Sequence, residues 1–258
     1  MNYLAPAPQP RRRIVVIGAT SAIAEHCVRL WLQAGPADMV LIGRNETKLH
    51  RVAADLAVRS PASGIECIAM NFLDESAIYD TVAATCAPHA PDLVLIAHVS
   101  LPDQAECQSN LTFCRDALEI NGVSPVLFAE AFVTHLQSAG GIIVVVGSVA
   151  GDRGRQSNYV YGAAKGLVTR YVQGLQHRLA LNGSALKVIL VKPGPTATPM
   201  TAHLTAQGQA MAHVEDVAQA IVNGAAKAKP VIYAPGKWWL IMMVVRHLPR
   251  FILHRLSL

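Results

Sequence analysis

Short apolar runs alternate with longer helical patterns along almost the whole chain. Each run is uniformly aliphatic or β-branched rather than alternating with polar residues, which is typical of strands buried on both faces. Six such runs are present, over residues 13–19, 38–44, 65–72, 92–99, 140–148 and 186–194. This order predicts one α/β domain, a doubly wound parallel sheet with helices on both faces.

The 258 residues divide into three predicted segments. Residues 1–11 hold prolines and no continuous apolar stretch, so they are expected to be a disordered leader. The α/β domain is predicted over 12–236, and residues 237–258 form a separate tail. A chain of this length fits a single large α/β domain.

Composition excludes several function classes. The net charge of +5 is concentrated before the first strand and in the tail, without the motifs of nucleic-acid binding proteins, so no nucleic acid is expected. The ten histidines and five cysteines show no metal-ligand spacing, so no metal site is predicted. The odd number of cysteines and the lack of a secretory signal favour a reducing cytoplasm.

The turn after the first run, GATSAIAE, is a candidate phosphate-binding turn. In parallel sheets ligands bind beyond the carboxyl ends of the strands, and a helix N-terminus there can bind a nucleotide pyrophosphate. The candidate contacts are Gly18, Thr20, Ser21, Ala22 and Ile23. An ordinary strand-to-helix turn is the alternative.

A second group of motifs lies at later strand ends. Ser148 ends the fifth run, Tyr161 follows thirteen residues later, and Lys165 lies one helical turn beyond. LEINGVSP contains Asn121, and VKPGPTATP contains a Pro193-Gly194 turn followed by Thr196 and Thr198. With the first turn, these motifs closely resemble the classical short-chain dehydrogenases/reductases over residues 12–235.

The resemblance implies a Rossmann fold, an NAD(P)(H) cofactor and a carbonyl–alcohol reaction. Tyr161 would be the acid/base, because Lys165 would lower its pKa from about 10 and also bind the nicotinamide ribose. Ser148 would orient the carbonyl oxygen, and Asn121 would hold a water chain. A turn serine, a helix-end asparagine and a salt-bridging lysine are the structural alternatives.

The resemblance also assigns further cofactor contacts. Pro193, Gly194 and Thr196 would line the nicotinamide site, where Thr198 would bind the carboxamide. Asn71 and Phe72 would frame adenine, and Ala97 would line the cleft, whereas Asp74 could simply cap the next helix.

One position bears on the choice of cofactor. Arg44, at the end of the second run, favours NADP(H) over NAD(H), because an arginine can pair with the 2′-phosphate. Alternatively, Arg44 could stack on adenine, which would not distinguish the two cofactors.

Three positions depart from the family pattern. Ala22 and Ala24 replace two glycines of the first turn, and His98 lies in IAHV where the family has Asn-Asn-Ala-Gly. His98 is predicted to be a hydrogen-bonded structural residue, although it could face the cofactor.

The tail combines tryptophans, an apolar run too short to span a bilayer, and basic residues. Arg246, Arg250 and His254 are expected on one side of a helix, with Val245, Leu248, Ile252 and Leu256 opposite, and Pro249 should interrupt it. This pattern predicts a peripheral contact with the inner face of a membrane. A tail that covers a subunit interface or the cleft is the alternative.

The tail and AGDRGR most resemble decaprenylphosphoryl-2-keto-ribose reductases. The resemblance implies reduction of a lipid-linked keto sugar by a homodimer or homotetramer, with residues 200–213 as a lid. The alternatives are a soluble reductase of a steroid, acyl or small ketone substrate with an oligomerising tail, and a non-catalytic NAD(P)-binding sensor.

Overall fold

The structure, a computed structural model, describes residues 11–202 and 210–255. The predicted leader, apart from Arg11, therefore lies outside the described residues. Residues 203–209 of the predicted lid and the last three residues of the tail also lie outside them.

A parallel sheet forms the centre of the protein, with the strand order β3-β2-β1-β4-β5-β6-β7. Its strands are β1 (Arg12–Ile17), β2 (Ala37–Gly43), β3 (Gly64–Ala69), β4 (Leu93–Ile96), β5 (Ile142–Val146), β6 (Lys187–Pro193) and β7 (Val231–Ala234). The six predicted strands are confirmed, and β7 is an addition that the sequence reasoning missed. The order reverses between β1 and β4, which creates the crevice where ligands bind in such sheets.

Helices cover both faces of the sheet, as predicted. They are α1 (Ala22–Ala34), α2 (Glu46–Arg59), α3 (Glu75–Cys86), α4 (Gln104–Ser109), α5 (Leu111–Leu118), α6 (Ser124–Leu136), α7 (Tyr159–Leu181), α8 (Val214–Ala226), α9 (Lys237–His247) and α10 (Arg250–Leu253). Asn45 and Asp74 cap α2 and α3, since their side chains accept hydrogen bonds from the amides of Lys48 and Ala77. The structural alternative for Asp74 is therefore confirmed.

Two hydrophobic cores explain the uniformly apolar strands. Ile14 and Val16 of β1 pack against α1, α2 and α8, whereas Val15 and Ile17 pack against α3, α6 and α7. All four side chains are fully buried. Each contributes about 1.5–3 kcal/mol relative to an exposed side chain, so both faces of β1 hold the domain together.

The tail forms two short helices separated at Leu248 and Pro249, which confirms the predicted break. Arg246, Arg250 and His254 are exposed on either side of this break, and Leu256 of the predicted apolar side lies outside the described residues. Val245 and Leu248 are half-buried toward the protein, and other apolar residues of α9 are exposed.

Within the described ranges, one stretch is long and apolar enough to cross a membrane, Leu111–Leu136. It is 56% buried inside the protein. Because it packs against the sheet and carries Asn121, it has the character of a core helix.

Candidate active site

Ser148, Tyr161 and Lys165 come from two elements packed against each other. Ser148 follows β5 and caps a 3₁₀ helix (Val149–Asp152), where its Oγ accepts a hydrogen bond from the amide of Ala150 (3.1 Å). Tyr161 and Lys165 lie in the first turns of α7. The 3₁₀ helix packs on α7, so the strand-end serine and the helical pair belong to one site.

Gly151 permits this close packing. A Cβ atom at position 151 would lie 2.5 Å from the carbonyl oxygen of Lys165, closer than real side chains approach backbone atoms. Any larger residue would push the 3₁₀ helix away from α7. Gly151 therefore allows the 3₁₀ helix that follows Ser148 to lie close to the helix that carries Tyr161 and Lys165.

Burial governs the ionisation of the site. It raises the pKa of Tyr161 to about 12, and a hydrogen bond with Ser148 opposes this rise. The Lys165 side chain is fully buried; burial lowers its pKa to about 8, and its Nζ donates to the carbonyl oxygen of Val146 (3.2 Å).

The predicted lowering of the Tyr161 pKa by Lys165 is therefore wrong. Lys165 Nζ lies 5.9 Å from the centre of the Tyr161 ring, and the loss of hydration is the main cause of the raised Tyr161 pKa. At neutral pH Tyr161 is a neutral phenol that can donate a proton.

Asn121 lies in a π-helical turn (Glu119–Val123) between α5 and α6, and this turn packs on α7. Such turns are frequent at functional sites. Its Nδ2 donates to Ser100 Oγ and to the carbonyl oxygen of Ala117, and its Oδ1 accepts from the amide of Ser100. Both amide hydrogens are used within the protein, so the side chain fixes the loop after β4, and any water would bind through oxygen.

The turn after β1 has the geometry of a phosphate cradle. Gly18 has a φ of +80°, and a Cβ atom there would lie 2.5 Å from the amide nitrogen of His98. Ser21 precedes α1 without capping it through its side chain. Thr20, Ser21, Ala22 and Ile23 are all partly exposed at this helix end, so the residues fit a pyrophosphate group.

The two alanines that replace family glycines differ in position. Ala24 is fully buried in the core between α1 and the sheet. Ala22 is partly exposed at the first turn of α1. Only the methyl group of Ala22 therefore lies at the edge where a nucleotide would bind.

Arg44 and Asn71 lie at the ends of β2 and β3, both exposed. Among the described residues no carboxylate lies within ion-pair distance of Arg44, so its guanidinium can take an anionic partner. Asn71 Oδ1 accepts a hydrogen bond from the amide of Leu73.

Phe72 and His98 are core residues. The Phe72 side chain is buried, with its ring centre 4.7 Å from that of His98 and 5.4 Å from that of Phe128. A contact of Phe72 with adenine would thus use the main chain. His98 Nε2 hydrogen-bonds Ser124 Oγ (2.9 Å), which confirms the structural prediction for this histidine. Ala97, just before it, is buried at the end of β4.

The turn after β6 holds the remaining predicted contacts. Pro193 ends β6, and the amide of Gly194 donates to the carbonyl oxygen of Ala234. Thr196 donates to the carbonyl oxygen of Gly194 (2.9 Å), and Thr198 caps a 3₁₀ turn (Pro199–Thr201). Hydrogen bonds thus hold the turn where the resemblance places nicotinamide.

The sequence model of the short chain dehydrogenases matches residues 12–209. The chain belongs to this family. It is an NAD(P)-dependent oxidoreductase with the Rossmann-type fold of the short-chain dehydrogenases.

Curated relatives of this short-chain dehydrogenase cover nearly its whole length. An uncharacterized oxidoreductase of Mycobacterium tuberculosis is 30% identical over 94% of this chain and 96% of its own. The "Uncharacterized oxidoreductase in mprA 5′region" of Streptomyces coelicolor is 29% identical over 97% of this chain and 98% of its own.

Solved structures share the fold. A short chain dehydrogenase from Burkholderia cenocepacia in complex with NADP has a TM-score of 0.79 at 18% identity, covering 96% of this chain and 98% of its own. Levodione reductase has a TM-score of 0.79 at 17% identity, covering 89% of this chain and 98% of its own.

Two features of this short-chain dehydrogenase were missed in the sequence. A Cβ atom at Gly194 would lie 1.9 Å from Trp238 Nε1, so the first turn of α9 packs directly on the turn after β6, where the resemblance places nicotinamide. Lys192 and Asp152 form a buried ion pair between β6 and the 3₁₀ helix after Ser148, and Tyr233 donates to Asp152 (2.9 Å). A lysine within the apolar run of β6 was the available signal for a buried partner.

Proposed function

We propose that this short-chain dehydrogenase reduces a ketone to a secondary alcohol with NADPH. The ketone is the 2-keto sugar of a polyprenyl phosphate. The observation that carries the direction is the state of Tyr161, a half-buried neutral phenol that hydrogen-bonds Ser148 one helical turn from a buried lysine. A protonated tyrosine suits the reaction that consumes a proton, which is carbonyl reduction.

Each of the four side chains has a separate role in the proposed reduction. A bound reduced nicotinamide would supply the hydride to the carbonyl carbon. Ser148 donates a hydrogen bond to the carbonyl oxygen, and Tyr161 transfers its phenolic proton to that oxygen. Lys165, when charged, stabilises the tyrosinate that remains, and Asn121 keeps the loop after β4 in position.

Arg44 supports NADP(H). It is exposed just beyond β2, and no carboxylate among the described residues neutralises it. An arginine forms an ion pair with the 2′-phosphate of NADPH, whereas the uncharged ribose of NADH offers it no such partner. NADPH should therefore bind more tightly than NADH.

Arg155 supports a substrate that carries phosphate. It lies in the loop between Ser148 and Tyr161 and is half-buried, and burial lowers its pKa. Within the part of the chain that the structure describes, it has no carboxylate at ion-pair distance. A half-buried guanidinium in the loop that joins Ser148 to Tyr161 favours an anionic ligand over a steroid or a small neutral ketone.

The pH dependence of ketone reduction tests the assigned roles. Lys165 carries its charge below its pKa of about 8 and loses it as the pH rises through that value, whereas Tyr161 stays protonated to about 12. We expect kcat to be constant below about pH 8 and to fall above it, approaching tenfold per pH unit. Steady-state NADPH oxidation over a pH series measures this profile.

Lys165→Arg is the matched variant, because arginine keeps its charge over the whole range. If this variant retains turnover, the fall above about pH 8 should disappear. A profile in the intact enzyme that stays constant well above this pH would contradict the role of Lys165.

A further inference from the structure

Helix α9 exposes a continuous apolar surface. Between 38% and 58% of each side chain is exposed for Trp239, Leu240, Ile241, Met243 and Val244. Phe251 and Ile252 of α10, the next helix along the chain, are also exposed, at 67% and 38%. We call these seven residues the apolar foot. Clustered large apolar side chains on a surface mark an interaction site.

The opposite side of α9 is fixed to the catalytic domain. Met242 is buried, and Trp238 packs on Gly194. Arg153, in the loop after Ser148, donates to the carbonyl oxygens of Arg246 (3.2 Å) and Leu248 (3.1 Å). Helix α9 thus runs from the turn after β6 to the loop after the catalytic serine, and the apolar foot is held beside the active site.

The charged side chains of the segment that carries the apolar foot have one sign. Lys237, Arg246, Arg250 and Arg255 are all exposed, and residues 236–255 contain no Asp or Glu. A second copy of the chain, docked by two-fold symmetry, would bring these positive charges against each other. An anionic lipid surface complements both the charges and the apolar side chains.

We infer that the apolar foot and its basic residues bind the surface of an anionic membrane, with the active site facing the lipid. A lipid-linked carbonyl could then reach Tyr161 without leaving the bilayer surface. The inference is independent of the proposed substrate, because membrane binding needs no turnover.

Vesicle co-sedimentation of the full chain tests the inference. We expect binding to phosphatidylcholine vesicles that contain phosphatidylglycerol, and weaker binding without phosphatidylglycerol or at high salt. The double variant Leu240→Glu, Val244→Glu should bind the anionic vesicles at least about tenfold less. Val58→Glu on α2, where the side chain is 81% exposed, is the matched control and should bind like the intact chain.

Three results would overturn the inference: no binding by the intact chain, equal binding by the double variant, or equal loss in the control. Light scattering after size exclusion adds a fourth, since a double variant that falls from a dimer to monomers would make the foot a subunit interface. NADPH binding by all variants confirms that they are folded. Loss of vesicle binding with turnover intact, or the reverse, separates this inference from the proposed function.

Discussion

Replacing Tyr161 with phenylalanine is expected to lower kcat for ketone reduction by about 10²–10⁴-fold. The substitution removes only the hydroxyl that hydrogen-bonds Ser148 and that we propose as the proton donor. The ring can keep its place near Lys165, so the variant should fold and bind NADPH normally. NADPH oxidation in the presence of the ketone measures the loss.

Tyr159→Phe is the matched control. Tyr159 lies two residues earlier on the same helix and is 44% exposed. It should retain nearly full turnover. A Tyr161→Phe enzyme with more than about a tenth of the intact rate would remove Tyr161 from the proton transfer.

The second large effect concerns stability. Replacing Asp152 with asparagine should lower the free energy of unfolding by about 3–5 kcal/mol, because it leaves the Lys192 ammonium buried without a counter-charge. Only 2% of the Asp152 side chain and 3% of the Lys192 side chain are exposed. Thermal unfolding should show a decrease in Tm of roughly 10 °C.

Adding Lys192→Met to Asp152→Asn should restore much of the stability, because no unpaired charge is then buried. Asp116→Asn is the surface control: its partner Arg115 is exposed, and the change should cost less than about 1 kcal/mol. A loss as small in Asp152→Asn as in this control would show that the buried pair does not anchor the loop after Ser148 to β6.

Local patterns in the sequence were enough to predict most of the fold. Most of the six apolar runs are strands with both faces buried, as the positions of Ile14 and Val15 on opposite cores show, whereas β3 is an edge strand and is only partly buried. Strand β7 was missed because it has four residues and its first residue is exposed, so it carries little apolar signal.

The grouping of Ser148 with Tyr161 and Lys165 could be predicted from the sequence for a similar reason. A strand end and a helical spacing of four residues are local features. The direction of the Tyr161 pKa shift could not be predicted from the sequence, because desolvation depends on packing by elements distant in sequence. The contacts of Trp238 with Gly194 and of Asp152 with Lys192 join residues about 40 positions apart.

In the tail, too, some features could be predicted from the sequence and others could not. Its composition and the break at Pro249 were readable from the sequence, but its exposed face was not. Arg153 and Gly194 determine which side of α9 faces the protein, and neither belongs to the tail.

The measurement that tests the central claim most directly follows NADPH and NADH oxidation by the intact chain with a polyprenylphosphoryl-2-keto-pentose. We predict turnover, faster with NADPH at subsaturating cofactor because the exposed Arg44 can pair with the 2′-phosphate. Failure to oxidise either cofactor, in a protein that demonstrably binds NADPH, would contradict the keto-sugar assignment.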